Sequence, residues 1–215
     1  MAITIESRSF GGGQRIPERH AFAVPDGNGK AKPAGGNVSP HLRWHGEPDG
    51  TRSFALVCVD HDVPAQMERM NSEDETIEPD APRQSFSHWV VADVPAEVHE
   101  VPEGAASEGI VPGGKPTGET GFGGRTGANG YTEFLADDDE MSGTYGNYDG
   151  PFPPWNDELE HRYRFRVYAL DVPSLDLPED FTLEHLQGAM AGHALDEGEL
   201  VGLYSLHRNG RGGSG

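Results

Sequence analysis

The chain has 215 residues and a formal net charge of −20, from 36 acidic and 16 basic side chains. This length suits a single β-rich domain with a core of its own. The acidic excess argues against nucleic acid and against an anionic membrane surface as partners, because both are bound through clustered lysine and arginine side chains.

Composition predicts a β-rich fold and an adaptation to strong salt. The 30 glycines and 17 prolines suit many turns between short strands. Lys30, Lys32 and Lys115 are the lysines, and the other basic residues are arginines. We interpret the acidic surface as that of a halophilic protein, in which salt screens the repulsion between carboxylates. An acidic surface that serves solubility alone is the alternative.

The first ten residues predict a strand. Ile3 and Ile5 alternate with polar residues, as in a half-buried strand. This segment lacks the apolar centre of a signal peptide, and no apolar run in the sequence approaches the roughly 20 residues of a membrane helix. We therefore expect a cytoplasmic protein without stable membrane insertion.

A buried strand followed by charged residues comes next. The run Ser53–Val59 is continuously apolar, which predicts a central strand covered on both faces. It contains the sole cysteine, Cys58, which we expect to be a packed side chain and not a nucleophile. The segment DHDVP at positions 60–64 follows directly. Two carboxylates and an imidazole at a strand end need partners or water, and a solvated turn is the alternative to a binding site.

Two later strands also begin with polar residues. The segment SHW at positions 87–89 opens a predicted strand, His88–Ala92. The strand Arg162–Leu170 alternates, with aromatic and apolar side chains on one face and arginines on the other. Before it lies the segment DGPFPP at positions 149–154, in which Gly150 permits close approach of a ligand. A structural histidine and a rigid surface turn are the corresponding alternatives.

One helix and one further strand are predicted near the C-terminus. Thr182 suits the N-cap of the helix, and Leu183, Leu186 and Met190 share one of its faces. Val201–Leu206 is the predicted last strand.

Long irregular segments separate these elements, at residues 65–87, 103–130 and 136–154. Structureless loops of this length are often functional. We expect residues 1–207 to form a single domain and residues 208–215 to be a flexible, Gly-rich tail.

In this order, the segments resemble the phosphatidylethanolamine-binding protein family, which includes the Raf kinase inhibitor protein and bacterial and archaeal relatives. The family has a DPDxP motif after a central strand, a strand start with histidine, a GxxPP-type loop and an H-R-Y strand start. This chain has DHDVP, SHWVV, DGPFPPW and HRYRF. Asn37-Val38-Ser39-Pro40 with Trp44 resembles the family's N-x-S-P-x-L-x-W segment. The resemblance extends from about Ile3 to Leu206, and ALDVPSLDL and GLY fit the prokaryotic, Raf kinase inhibitor-like branch.

The resemblance implies a mainly β fold, a β-sandwich with Greek-key elements and a few peripheral helices. It also implies a small cavity for phosphate or a phosphorylated headgroup such as phosphoethanolamine. Residues matched to the family's ligand-binding positions are Asp60, Phe86, His88, Gly150, Pro151, Pro153, Pro154 and His161. His61 departs from the family, where proline occupies the second motif position.

The chemistry of these residues predicts weak, selective anion binding. We expect His88 and His161 to donate N–H groups to ligand oxygens, and Asp60 to orient one histidine and raise its pKa. Backbone N–H groups near Gly150 would add a small nest. The sequence predicts no cofactor, no metal site and no catalytic residue.

A binding module, which is compatible with a regulatory role, is therefore favoured over an enzyme, and two alternatives stay open. One is a metal-dependent hydrolase that uses an Asp/His cluster, composed of Asp60, His61, Asp62, His88 and His161. The other is an inhibitor that docks on a kinase or protease. The sequence also leaves open a protein partner and a homodimer.

Overall fold

The computed structural model describes residues 3–207. The strands are β1 (Thr4–Glu6), β2 (Val24–Pro25), β3 (Ala31–Lys32), β4 (Leu42–His45), β5 (Ser53–Pro64), β6 (Arg83–Pro95), β7 (Glu100–Val101), β8 (Gly118–Glu119), β9 (Arg125–Thr126), β10 (His161–Leu170) and β11 (Ala194–Tyr204). The α-helices are α1 (Tyr131–Phe134) and α2 (Leu183–Met190), and short 3-10 helices span Glu18–His20 and Met67–Arg69. The predicted mainly β fold with few helices is confirmed.

Two antiparallel sheets enclose the main core. The larger sheet has six strands in the order β11-β10-β5-β6-β9-β8, and the smaller has the order β1-β4-β7. Strands β2 and β3 form a separate two-stranded sheet. The long ladders that β5 forms with β6 and β10 place this strand at the centre of the large sheet. No helix among residues 3–207 is long and apolar enough to cross a membrane.

The first part of β5, Ser53–Val59, is apolar because both of its faces are covered. Phe54, Leu56 and Cys58 belong to the core between the sheets. Ala55, Val57 and Val59 belong to a second core beneath α2. The central, doubly buried strand and the packed cysteine are as the sequence predicts.

Strand β10 shows the predicted alternation. Its odd-numbered residues from Tyr163 to Ala169 lie in the core between the sheets. On the other face, Arg164 and Arg166 pair with Glu199 of β11. Glu199 of the neighbouring strand therefore partly balances the charged face, while the aromatic face holds the sheets together.

Helix α2 matches its predicted start and orientation. Thr182 is the N-cap and forms a reciprocal capping box with His185. Leu186 and Met190 are buried against the large sheet. The helix covers the face of β5 that the small sheet leaves free.

The strands around the charged segment run further than the sequence predicts. Strand β5 continues through DHDVP to Pro64, and β6 begins at Arg83, inside a segment expected to be irregular. Across this hairpin, Asp60 lies opposite Phe86. The charged residues can belong to the strand because each carboxylate pairs with another side chain, as described below. The last strand is also longer than predicted, and the predicted tail, 208–215, lies outside the described residues.

Candidate functional site

A small cavity lies at one end of the core, where β5, β6 and β10 meet α1 and the loop before β10. Its volume is about 30 Å³, which is room for roughly two water molecules. The lining residues are Asp60, Val63, Met67, Met70, Phe86, His88, Tyr131, Phe134, Phe152, Pro153, Pro154, His161 and Tyr163.

Strand register explains why these side chains meet. Asp60 of β5 lies opposite Phe86 of β6 on one side and Tyr163 of β10 on the other. Opposite residues in antiparallel strands share a face. This is the face that carries the core between the sheets, so the cavity continues that core toward the surface.

Six of the eight residues matched to the family's site line the cavity, whereas Gly150 and Pro151 do not. The Gly150 N–H donates to Asn37 Oδ1 at 2.8 Å. A Cβ on Gly150 would lie 2.0 Å from the carbonyl oxygen of His20. Glycine is therefore required for backbone packing, and its N–H is not available for the expected nest. The Pro151 carbonyl accepts from the N–H groups of Phe22 and Ala23.

His161 is held between two carboxylates. Its Nδ1 lies 2.6 Å from Asp60 Oδ2, and its Nε2 lies 3.1 Å from Asp157 Oδ2. Burial alone would lower the pKa of His161. The negative charges of Asp60 and Asp157, together with the hydrogen bonds that His161 makes to them, outweigh burial and raise this pKa to about 9. Both N–H groups of this imidazolium are engaged within the protein. His161 therefore does not present the donor to a ligand that the sequence led us to expect.

Asp157 continues this network to Arg83. The Arg83 guanidinium makes a two-pronged contact with Asp157, with Nη2 3.1 Å from Oδ1. Burial raises the pKa of Asp157, but its hydrogen bonds to His161 and Arg83 prevail and lower it. Neither Asp157 nor Arg83 is among the residues predicted from the sequence. The spacing of Asp157, four residues before His161, was the available signal.

The charges next to the cavity cancel. Asp60 and Asp157 are negative, while His161 and Arg83 are positive. No lysine or arginine lines the cavity among residues 3–207. The site therefore carries no excess of positive charge.

Two other members of the predicted Asp/His cluster point elsewhere. The Asp62 carboxylate binds Arg162, with Nη2 2.6 Å from Oδ1. The His61 side chain is exposed, and its Nδ1 lies 2.7 Å from Ser85 Oγ. No group of three or more His, Cys, Asp or Glu side chains within residues 3–207 is placed to hold a metal ion. The metal-dependent hydrolase therefore gains no support.

His88 is buried and neutral. Burial lowers the pKa of His88, although the charge of Asp60 acts in the opposite direction. Its Nδ1 lies 2.8 Å from the carbonyl oxygen of Asp149. A carbonyl oxygen only accepts, so Nδ1 carries the proton and Nε2 is left with a lone pair. Nε2 has no hydrogen-bond partner in the described part of the chain.

Tyr163 contributes a hydroxyl that the sequence analysis did not single out. This hydroxyl is buried and has no hydrogen-bond partner within the described residues. Burial raises the pKa of Tyr163 well above its usual value, so the hydroxyl keeps its proton. The Tyr163 and His88 rings stack edge to face, with centroids 5.0 Å apart. An unpaired buried polar atom in a residue that lines a cavity points to a missing water, ion or ligand as its partner.

The mouth of the cavity is apolar. Phe86 contacts Phe134 and Tyr131 edge to face, with ring centroids 6.0 Å and 5.2 Å away. Met67 and Met70, from the segment between β5 and β6, complete this apolar rim of the cavity. This arrangement offers apolar contact outside and a few polar groups inside, as small-molecule sites commonly do.

Known proteins match this chain along nearly its whole length. A family model described as phosphatidylethanolamine-binding protein matches residues 6–205. A UPF0098 protein of Methanothermobacter thermautotrophicus is 32% identical over 202 residues, which cover 94% of this chain and 98% of that protein. The UPF0098 protein YbhB of Escherichia coli is 33% identical over 201 residues, which cover 90% and 94%.

Solved structures show the same fold. The crystal structure of E. coli YbcL, described as a new member of the mammalian PEBP family, aligns with a TM-score of 0.66 at 22% identity and covers 95% of this chain and 99% of that one. The crystal structure of CT736 from Chlamydia trachomatis, described as a putative PEBP homologue, aligns with a TM-score of 0.62 at 26% identity. The alignment covers 95% of this chain and 97% of that one.

Proposed function

Because the chain belongs to the phosphatidylethanolamine-binding protein family, we propose that its cavity binds a small oxyanion, either phosphate or the phosphate of a phosphorylated headgroup. The observation that carries this proposal is the unpaired, buried hydroxyl of Tyr163, a residue that lines the cavity together with His88. Leaving such a group unsatisfied costs on the order of 1–3 kcal/mol. A ligand oxygen in the cavity would remove that cost.

The cavity size limits what enters. A volume of about 30 Å³ accepts one small group. The remainder of a larger ligand would lie against the apolar rim of the cavity, which includes Phe86, Phe134 and Met67. Because no lysine or arginine lines the cavity in the described chain, the affinity for a single anion should be modest.

The other polar residues position the site. His161 uses both N–H groups on carboxylates, so its role is to hold Asp60 in place. Asp60 also accepts the backbone N–H of Asp62 at 2.8 Å, which fixes its second oxygen. Pro153 and Pro154 form a stiff wall of the cavity.

A substitution of the tyrosine tests the proposal without disturbing the fold. Tyr163→Phe removes a hydroxyl that has no protein partner, so the free energy of unfolding should not fall. A lost hydrogen bond to a charged ligand should weaken the binding of phosphate and phosphoethanolamine by roughly tenfold to a hundredfold. Tyr168→Phe, on the opposite face of β10, is the matched control and should bind as the wild type does.

Titration calorimetry and NMR shift mapping measure both effects. If Tyr163→Phe binds with the affinity of the wild type, or if the NMR shift changes occur away from His88 and Phe86, the ligand binds outside this cavity.

A further inference from the structure

The polar atoms that face the cavity contain few hydrogen-bond donors. Asp60 presents a carboxylate, which only accepts. The Nδ1–H of His88 is used on the Asp149 carbonyl, so its free Nε2 accepts as well. Both N–H groups of His161 are used on Asp60 and Asp157.

The remaining hydroxyl groups do not correct this imbalance. The hydroxyl of Tyr131 donates to the carbonyl of Gly150 at 2.8 Å. Among the side chains that line the cavity within residues 3–207, only Tyr163 is then left with a free donor. A fully deprotonated oxyanion would meet this one donor together with lone pairs on Asp60 and His88. Lone pairs facing lone pairs are repulsive, so a further hydrogen is needed between the ligand and the protein.

We propose that the cavity takes up an oxyanion only together with one proton, which lies between a ligand oxygen and Nε2 of His88. This inference rests on the proposed anion binding and specifies how that binding is regulated by pH. The bound ligand is then a monoprotonated oxyanion on neutral His88, or a fully deprotonated one on its imidazolium. Both descriptions contain the same extra proton.

The surroundings of His88 determine the direction of the pH dependence. The charge of Asp60 favours the imidazolium, and the charge of His161 opposes it. The Asp149 carbonyl accepts from the Nδ1–H of His88, and the Gly150 backbone also favours the imidazolium. The rings of Phe86, Tyr131 and Tyr163 enclose the His88 ring. Burial outweighs the favourable contributions and lowers the pKa of His88 in the unliganded protein. An arriving negative charge adds a favourable contribution and raises this pKa.

Linkage gives the sign of the effect on affinity. Because the liganded state holds one more proton than the unliganded state, affinity should be greatest at low pH. It should fall about tenfold per pH unit above the lowered pKa of unliganded His88, until the pKa of the liganded state is passed.

Calorimetry on the wild-type protein tests this directly. Inorganic sulfate and methyl phosphate are titrated between about pH 5 and pH 8, a range that spans histidine titration, at constant ionic strength set with chloride. Repeating each titration in buffers of different ionisation enthalpy reports the protons taken up. We expect about one proton per bound ligand. Sulfate carries no proton in this pH range, so any proton taken up when sulfate binds must be held by the protein.

A substitution assigns the proton to His88. His88→Gln offers a neutral amide N–H that does not titrate, so it should bind sulfate with no proton uptake and with an affinity independent of pH. His193→Gln is the matched control, because His193 is exposed and pairs with Asp171 at 2.8 Å. It should retain the wild-type proton uptake.

The outcomes separate the two proposals. Anion binding without proton uptake and with a flat pH profile would overturn the coupling and leave the proposed function standing. Full uptake in folded His88→Gln would place the proton on another group and also overturn it. Failure of both probes to bind at every pH would overturn the proposed function itself.

Discussion

The clamped imidazolium of His161 should make the fold sensitive to alkali. Its pKa rises from the ordinary 6.5 to about 9 in the folded protein. The folded chain therefore keeps a proton that the unfolded chain has lost, and stability falls as pH rises through this window. The contribution is fully present below about pH 6.5 and is lost above about pH 9.

The size of the effect follows from the same values. The difference between 6.5 and about 9 corresponds to roughly 3 kcal/mol in the free energy of unfolding, at about 1.4 kcal/mol per pKa unit. His161 is fully buried, so solvent screening does not reduce this figure. Burial lowers the pKa values of His20 and His88, and these groups act below pH 6.5 and not in the alkaline window.

Urea unfolding at a series of pH values measures this loss, and NMR of the His161 ring measures the pKa. Asp157→Asn removes one carboxylate from the clamp, so the pKa of His161 should fall and the alkaline loss should shrink. Breaking this buried pair should itself cost on the order of 3 kcal/mol at neutral pH. Asp171→Asn, which breaks an exposed pair with His193, should cost about 0–1 kcal/mol.

A wild-type free energy of unfolding that stays constant from pH 6.5 to pH 9 would refute the clamp. An unchanged slope in folded Asp157→Asn would show that another group causes the loss.

Three further predictions concern the charge, the backbone and the site. The net charge of −20 should make the melting temperature rise between about 0.1 M and 1 M KCl, as the Debye length shrinks from about 10 Å to about 3 Å; a flat or falling value would contradict adaptation to salt. Gly150→Ala should destabilise by about 1–3 kcal/mol or more because its Cβ meets the His20 backbone at 2.0 Å. By contrast, Gly188→Ala, in a helix with open space around it, should stabilise by roughly 0.5–1 kcal/mol, and equal denaturation midpoints would disprove the packing argument. Asp60→Asn should lower the pKa of His161 and weaken phosphate binding, and wild-type values of both by NMR titration would show that Asp60 orients nothing.

The sequence determined the framework of this protein. The apolar run Ser53–Val59 required cover on both faces, and the alternation in Arg162–Leu170 required one buried face, whatever the partners were. Strands β5 and β10 follow both patterns, because the face of the strand on which a side chain lies decides whether that side chain is buried. The order of the motif segments also indicated which strand ends would meet, and Asp60 and His88 do lie at one cavity.

Only the tertiary structure decided how the polar groups are used. Asp60 and His161 lie 101 positions apart in the sequence, and Arg83 and Asp157 lie 74 apart. Their pairing occupies the His161 donors, and the approach of the His20 backbone assigns Gly150 to packing. A hydrogen bond requires two specific atoms within about 3 Å. Sequence periodicity specifies a side chain's face but not its distant partner, so free and occupied donors become distinguishable only when the strands are assembled.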